Sequence, residues 1–279
     1  MLKPNKFADL AELLYLCRIK YKKHTNHMKK LAFITGASSG IGAACARKFA
    51  QNGYNLILNA RSIDKLLAIK EELESSYSTS IHILAFDVRD RQAAQHAINS
   101  LPKDFQAIDI LVNNAGLALG MDKEYEGIEE NYDTMIETNI TALLMITRMV
   151  VPSMIERNSG HIINIGSVAG DAAYPGGSVY CATKAAVKIL SDGLRMDLMH
   201  TPLRVTNVKP GLVETNFSLT RFAGDKQRAD QVYKGIQPLN GDDIADVVYY
   251  AASAPAHVQI AEVLVLATHQ ASGSHVYRQ

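Results

Sequence analysis

The sequence has no tryptophan, only three cysteines and only eight prolines among 279 residues. The cysteines (Cys17, Cys45 and Cys181) cannot form a disulfide framework, and none belongs to a Cys-x-x-Cys pair. Such cysteine usage is typical of a reducing compartment, so we predict a cytoplasmic location. No uninterrupted apolar stretch approaches the roughly 20 residues that a membrane span needs, so no membrane partner is predicted.

The charges are almost balanced, with a net charge of +1. A nucleic-acid-binding protein would need a clearly basic face, so this class is not favoured. The histidines are scattered, without metal-ligand spacing, and we predict no metal site. His161, at the start of a predicted strand, is interpreted as structural. The length suits one large α/β domain or two small ones.

The first 29 residues differ from the rest of the chain. An apolar patch at 10–16 precedes a basic run at 18–30, whereas a signal peptide has its positive charge first. We interpret 1–29 as a leader that is disordered or lies upstream of the natural start, for which Met28 would serve. A membrane-surface helix is the alternative.

From residue 31 onward, strands and helices alternate. The pattern predicts strands at 31–35, 55–59, 81–86, 109–112, 161–165, 204–208 and 258–266. It predicts helices at 41–52, 63–75, 91–100, 132–157, 179–200 and 242–253, with an irregular segment at 214–240. This alternation predicts an α/β Rossmann fold: one domain, 30–279, with a doubly wound parallel sheet of about seven strands covered by helices on both faces. Ligands bind such sheets beyond the carboxyl ends of the strands.

A glycine-rich loop, Thr35-Gly-Ala-Ser-Ser-Gly-Ile-Gly42, joins the first strand to the first helix. Glycines allow the backbone to approach an anion, and the helix N-terminus offers free N–H groups and a positive dipole end to a pyrophosphate. The residue after the second strand separates NADP from NAD, because NAD binding uses an acid there. Arg61 lies at this point and suits a 2′-phosphate, so we predict NADP.

Tyr180 and Lys184 lie four residues apart and share one face of a predicted helix. A free tyrosine has a pKa of about 10, so acid–base work near pH 7 needs a decrease of roughly three units, or about 4 kcal/mol. A cation at about 4 Å supplies roughly that energy at an effective dielectric constant near 20. We therefore expect Lys184, aided by an oxidised nicotinamide, to acidify Tyr180. Cys181, which has no histidine partner in the motif, is interpreted as a packing residue.

Other polar motifs end neighbouring strands: Asn113-Asn-Ala-Gly116, Gly166-Ser167 and Pro210–Thr215. With Tyr180 and Lys184 they resemble the short-chain dehydrogenase/reductase family over residues 31–279. The resemblance implies that Tyr180 is the general acid/base, that Ser167 binds the reacting oxygen, that Lys184 holds the nicotinamide ribose and that Asn139 interrupts a helix and keeps a relay water. The cofactor residues expected from the loop, Arg61 and this resemblance are Gly36, Ser38, Ser39, Gly40, Ile41, Gly42, Arg61, Ser62, Asp87, Val88, Asn114, Ala115, Gly116, Tyr180, Lys184, Pro210, Gly211, Val213 and Thr215.

Four segments resemble the NADP-dependent 3-hydroxy acid dehydrogenases more closely: Asn113–Gly120, Gly160–Ser167, Pro255–Val258 and His275–Gln279. That resemblance implies a homotetramer that oxidises C3 of a small 3-hydroxy acid or reduces the matching 3-oxo compound. The expected substrate residues are Ser167, Tyr180 and Arg221. Arg221 is chosen to bind the substrate carboxylate because its segment could close over the site.

Two other functions stay open from the sequence. One is a broad-range NADPH-dependent carbonyl reductase for uncharged ketones. The other is a non-catalytic NADPH-binding regulatory protein, which we would expect to lack Ser167, Tyr180 or Lys184; all three are present.

Overall fold

The structure, a computed structural model, describes residues 29–279. Seven parallel strands form one sheet in the order β3-β2-β1-β4-β5-β6-β7. The strands are β1 Leu31–Thr35, β2 Asn55–Ala60, β3 Ile81–Ala85, β4 Ile110–Asn113, β5 His161–Ile165, β6 Arg204–Pro210 and β7 Glu262–Val265. The predicted fold class is confirmed. The prediction for the leader concerns residues that, up to Met28, lie outside those described.

Nine α-helices lie within residues 29–279. They are α1 Gly40–Gln51, α2 Ile63–Ser76, α3 Arg91–Asn99, α4 Glu129–Ile136, α5 Ala142–Glu156, α6 Ser178–Asp197, α7 Phe217–Arg221, α8 Lys226–Gln231 and α9 Gly241–Ser253. Helices α1, α2 and α9 contribute to the core on one face of the sheet. Helices α3 and α5, with Leu198 just after α6, contribute to the core on the other.

The central strands are apolar runs because both of their faces are covered. All five residues of β1 are buried, and so are all five of β5. A side chain on either face of such a strand packs against a helix. The sequence of each strand is therefore continuously hydrophobic and does not alternate between apolar and polar residues. This explains why short runs such as Leu31–Thr35 could be recognised in the sequence.

The chain reverses its direction of winding between β1 and β4, which are adjacent in the sheet. Strands β2 and β3 lie on one side of this pair, and β5, β6 and β7 lie on the other. The connections after β1 and β4 therefore leave in opposite directions and open a crevice at the carboxyl ends of the strands. The motifs Asn113–Gly116, Gly166-Ser167 and Pro210–Thr215 lie at the carboxyl ends of β4, β5 and β6.

The predicted helix at 132–157 is interrupted in the structure. A single π-helical turn, Glu137–Thr141, separates α4 from α5. Such turns are frequent at functional sites, and Asn139 lies in this one. By length and composition the run Glu129–Glu156 could also span a membrane, but 56% of its apolar window is buried against the rest of the protein. It is thus a core helix.

The segment at 214–240 is more ordered than its sequence indicated. It contains the short helices α7 and α8. Strand β7 is shorter than predicted and covers only Glu262–Val265. Its edge position explains the difference, since β7 pairs with β6 alone and its side chains alternate between exposed and partly buried.

His161 has the structural role that its position indicated. Its ring is buried, and Nε2 lies 2.8 Å from Thr206 Oγ1 in the neighbouring strand. Burial lowers the pKa of His161 to about 3, assisted by the positive charge of Arg204. The folded protein therefore keeps this imidazole neutral at pH values where the unfolded chain protonates it.

We expect acid to destabilise the protein through His161 before most carboxylates titrate. The unfolded chain binds this proton below about pH 6.5 and the folded chain does not, so stability falls as the pH falls. Between pH 6.5 and 5.0 the loss is about 1.5 kcal/mol. Urea unfolding of wild type and His161→Gln at both pH values checks this. An equal pH dependence in the two proteins would contradict it.

Candidate active site

A cleft of about 1000 Å³ lies beyond the carboxyl ends of the strands. Every site residue predicted from the sequence lines it except Gly42 and Asn139, which support residues that do. The cleft extends from the glycine-rich loop and Arg61 at one end to Ser167, Tyr180 and Arg221 at the other. Its volume and its lining residues fit a dinucleotide with a small substrate beside it.

The glycine-rich loop approaches closely to the loop after β4. Gly36 and Gly40 have positive φ angles of 65° and 54°, which favour glycine. The Asn114 side chain joins the two loops, because Nδ2 donates to Thr35 O at 2.8 Å and Gly36 O at 3.1 Å. The Ser39 side chain makes no capping hydrogen bond to α1, whose first turn has no acidic residue. This helix N-terminus therefore fits a pyrophosphate.

Gly42 lies where any side chain would collide with this arrangement. A Cβ atom there would be 2.3 Å from Gly36 O and 2.5 Å from Asn114 Nδ2. We expect Gly42→Ala to weaken NADPH binding by at least about tenfold, or 1.4 kcal/mol, because the Gly36 backbone must move. Fluorescence titration with NADPH measures the change. The matched control is Gly193→Ala, because a Cβ atom at Gly193 would meet no atom within 4 Å. Equal affinities of the two variants for NADPH would contradict the expectation.

The adenosine end of the cleft is positively charged. Arg61 and Lys65 both line it, and neither forms an ion pair within the described part of the chain. Ser62, the N-cap of α2, makes no capping hydrogen bond, so its hydroxyl group is available. Asp64, the nearest acid after β2, does not line the cleft. These groups fit a 2′-phosphate.

Asp87 and Val88, which follow β3, line the same end of the cleft. Arg89 donates to both carboxylate oxygens of Asp87, the closest contact being 2.9 Å. The Arg89 guanidinium holds the pKa of Asp87 below its usual range, so this carboxylate remains charged. Its orientation beside the cleft is thereby fixed.

Ser167 and Tyr180 come together at the other end. Ser167 lies two residues after β5, and its Oγ accepts a hydrogen bond from Ala169 N at 3.1 Å. The Ser167 hydroxyl donates to Pro210 O at 3.5 Å, and it also acts on the Tyr180 phenol, whose pKa it lowers. Helix α6 presents Tyr180 from its first turn, and the ring packs 5.6 Å from that of Phe217. Both residues line the cleft, so their hydroxyl groups can bind the oxygen of an alcohol or carbonyl compound there.

Lys184 lies behind this pair. Its Nζ donates to Ile165 O at 2.9 Å and lies 5.9 Å from the centre of the Tyr180 ring. Burial lowers the pKa of Lys184 to about 8. Since the ammonium is an obligate donor with three N–H groups, it retains donors for a ribose hydroxyl.

The electrostatics of Tyr180 differ from the sequence-based expectation. Burial raises the pKa of the phenol, and the opposing effects come from the Ser167 hydroxyl and the positive charge of Arg221. Lys184 is not among the residues of the chain that lower the pKa of Tyr180, although the sequence-based expectation gave it that effect. The physical reason is distance and burial: the ammonium points to a backbone carbonyl, and both groups are withdrawn from water.

Asn139 supports the site from the π-helical turn. Its Oδ1 accepts from Leu117 N at 2.9 Å, and its Nδ2 donates to Leu117 O at 2.8 Å and Thr183 Oγ1 at 3.0 Å. Asn139 thereby ties the loop after β4 to the helix that carries Tyr180 and Lys184. Its function as holder of a relay water stays a prediction.

Several lining residues were not predicted from the sequence. Tyr174, Phe217 and Tyr233 surround the substrate end, and the chain terminus adds Gly273, Ser274, Val276 and Arg278. No short motif marks these residues, because they come from loops whose paths depend on tertiary packing. Tyr174 had one available signal, its place between Ser167 and Tyr180. Cys181, by contrast, packs with Tyr180 in a small apolar cluster, as its interpretation as a packing residue required.

Comparison with known proteins agrees with this geometry. Residues 30–226 match the family model for short chain dehydrogenase. The NADP-dependent 3-hydroxy acid dehydrogenase of Schizosaccharomyces pombe is 46% identical over 251 residues, covering 90% of this chain and 97% of that protein. Sulfoacetaldehyde reductase 2 of Chromohalobacter salexigens is 43% identical, covering 88% of this chain and 96% of that protein. The closed form of serine dehydrogenase complexed with NADP⁺ has a TM-score of 0.83 and 43% identity, covering 89% of this chain and all of that one.

The chain belongs to the short chain dehydrogenase family. It is an oxidoreductase acting on CH–OH groups, as the motifs at Ser167, Tyr180 and Lys184 predicted. The closer resemblance to the 3-hydroxy acid dehydrogenases is confirmed as well.

Proposed function

We propose that the protein is an NADP-dependent dehydrogenase that acts reversibly at C3 of small 3-hydroxy acids, such as serine, allo-threonine and 3-hydroxypropionate. NADP is the cofactor, and the matching 3-oxo acids or semialdehydes are the substrates of the reverse reaction. The relatives at 43–46% identity are named for NADP-dependent hydroxy acid oxidation or for sulfoacetaldehyde reduction, and each of these substrates combines an anionic group with a reacting alcohol or aldehyde.

Arg221 carries the proposal for an acidic substrate. It lines the cleft, and its guanidinium carbon lies 5.9 Å from the centre of the Tyr180 ring. Its Nη2 is buried without a hydrogen-bond partner in the described part of the chain. A buried unpaired donor is unfavourable by about 1–3 kcal/mol, and more if charged. A substrate carboxylate would supply the missing acceptor.

Ser167, Tyr180 and Lys184 provide the remaining chemistry. When bound, NADP supplies the nicotinamide ring that accepts or donates the hydride. Because burial keeps Tyr180 protonated at neutral pH, its phenol can donate a proton to the oxygen of a 3-oxo group during reduction. Ser167 holds the same oxygen, and Lys184 holds a ribose hydroxyl. In oxidation Tyr180 takes the hydroxyl proton, so it must first lose its own.

A spectrophotometric assay with NADP⁺ tests the substrate class. The panel contains L-serine, allo-threonine and 3-hydroxypropionate, with 2-hydroxyethanesulfonate as a sulfonate and 1-propanol as an uncharged alcohol of similar size. Higher kcat/KM for the carboxylates supports the proposal. Preference for the sulfonate would make hydroxysulfonates the substrate class. Preference for 1-propanol, or for acetone over the 3-oxo acids in a parallel assay with NADPH, would make it uncharged alcohols and ketones. No turnover with any compound would favour the binding protein without activity.

Removal of the Arg221 guanidinium should discriminate between these substrates. We expect Arg221→Ala to raise KM for L-serine by about 30-fold, since a charge-assisted hydrogen bond contributes about 1.5–3 kcal/mol. The KM for an uncharged substrate should change less than about threefold. Initial-rate kinetics on both substrates checks this. The control Arg228→Ala removes a neighbouring arginine that does not line the cleft.

The proposal also covers the domain organisation, the oligomeric state and the cellular location. We propose that residues 30–279 form one catalytic domain and that four copies assemble in the cytoplasm. Ile189, Met196 and Met199, on α6 or directly after it, are 65%, 69% and 80% exposed in the single chain. Neighbouring exposed apolar side chains of this size support a subunit contact there.

A further inference from the structure

Arg221, the last residue of α7, is held by residues from two loops. Its Nε donates to Gly120 O at 2.9 Å, and its Nη1 donates to the Tyr174 hydroxyl at 2.9 Å. Gly120 N in turn donates to Arg221 O at 2.9 Å. Two loops and a helix at the substrate end thus meet at one side chain: the loop after β4, the loop between β5 and α6, and helix α7.

Tyr174 is itself fixed in place beside α6. Gly177, the N-cap of this helix, has its backbone against the Tyr174 ring, because a Cβ there would lie 2.0 Å from the ring carbon Cε2. Gly177 N also donates to Tyr174 O at 3.0 Å. Three residues later α6 presents Tyr180. The position of the Tyr174 hydroxyl is therefore set relative to the reacting hydroxyl of Tyr180.

The Tyr174 hydroxyl determines which guanidinium donors remain for a ligand. With Nε on Gly120 and one Nη1 hydrogen on Tyr174, three N–H groups of Arg221 are left, two of them on Nη2. An arginine fork that is already oriented loses less freedom when it binds a carboxylate. Without the hydroxyl, Nη1 loses its acceptor and the fork can rotate.

We propose that Tyr174 is a positioning residue that orients Arg221 for the carboxylate of the substrate, and so sets the preference for acidic over uncharged compounds. This inference rests on the proposed function, since it names how the same site selects its substrate. Tyr174 does not touch the reacting atoms in this role. It acts through Arg221, and its removal should affect acid binding much more than the hydride step.

The test is Tyr174→Phe, which keeps the ring on Gly177 and removes only the hydroxyl. We expect KM for L-serine to rise about tenfold while kcat changes less than about threefold. In an Arg221→Met background, Tyr174→Phe should have no further effect on this KM. The control Tyr125→Phe alters a tyrosine whose side chain is 80% exposed. The proposal would be overturned if the two substitutions raised KM for L-serine additively, or if Tyr174→Phe lowered only kcat.

A binding measurement separates this inference from the proposed function. Calorimetric titration of the NADPH complex with 3-hydroxypropionate reports acid binding without turnover, because reduced cofactor accepts no hydride. A tenfold weaker affinity in Tyr174→Phe supports the inference even if the wild type does not oxidise the acid, which would overturn only the proposed function. Unchanged affinity overturns the inference alone. Failure of the wild type to bind the acid overturns both.

Discussion

Tyr180→Phe should lower kcat/KM by about 10³-fold, since general acid–base catalysis contributes about 10²–10⁴-fold. The substitution removes the only group that exchanges a proton with the substrate oxygen in the proposed reaction. Ser167 can still bind that oxygen, but a serine hydroxyl cannot replace a phenol as an acid at neutral pH. The phenylalanine ring retains its packing against Phe217, so the fold should be unaffected. Steady-state kinetics in both directions provides the measurement.

The control for this experiment is Tyr250→Phe, which removes a hydroxyl from a side chain that is 67% exposed. Both variants should bind NADPH within about threefold of wild type. The raised pKa of Tyr180 also gives a sign for the pH dependence. Reduction uses the protonated phenol and should be insensitive to pH near neutrality, whereas oxidation needs the phenolate and should accelerate as the pH rises. Turnover that survives in Tyr180→Phe would remove Tyr180 from the mechanism.

The parts of the site that the sequence predicted are those bound to regular structure. Tyr180 and Lys184 follow from one turn of helix, and the glycine-rich loop follows from the junction of β1 with α1. Parallel strands bring their carboxyl ends to one edge, so Ser167 and Asn114 had to lie near each other even though 53 positions separate them. Periodicity and position after a strand located these residues, and the resemblance to the short-chain dehydrogenase/reductase family supplied their expected roles.

The substrate end depended on contacts that no local pattern contains. Arg221 was chosen for its charge and its place in an irregular segment, but its bonds to Gly120 and Tyr174 join residues 101 and 47 positions away. Helical periodicity also could not reveal the π-helical turn at Glu137–Thr141, because one inserted residue hardly alters an amphipathic pattern. The rise in the pKa of Tyr180 had no signal in the sequence for a related reason, since burial could not be weighed against charge before the packing was known.

Arg61→Asp should reverse the cofactor preference. We expect wild type to favour NADPH over NADH by at least about tenfold in kcat/KM, and the variant to lose about 100-fold with NADPH. A charge-assisted bond to the 2′-phosphate contributes about 1.5–3 kcal/mol, and the new carboxylate adds like-charge repulsion to that loss. With NADH the same carboxylate can accept a hydrogen bond from the ribose 2′-hydroxyl, so the rate should be maintained or increased.

The neighbouring charges determine how complete this reversal is. Lys65 also lines the adenosine end and remains in the variant, so it should preserve part of the affinity for the 2′-phosphate. Combining Arg61→Asp with Lys65→Met should therefore decrease NADPH use further without affecting NADH. Lys103→Asp makes the same change of charge at an exposed position outside the cleft and is the control. If the NADPH to NADH ratio is the same in Arg61→Asp as in wild type, the 2′-phosphate is bound elsewhere, and the charge at the end of β2 does not select the cofactor.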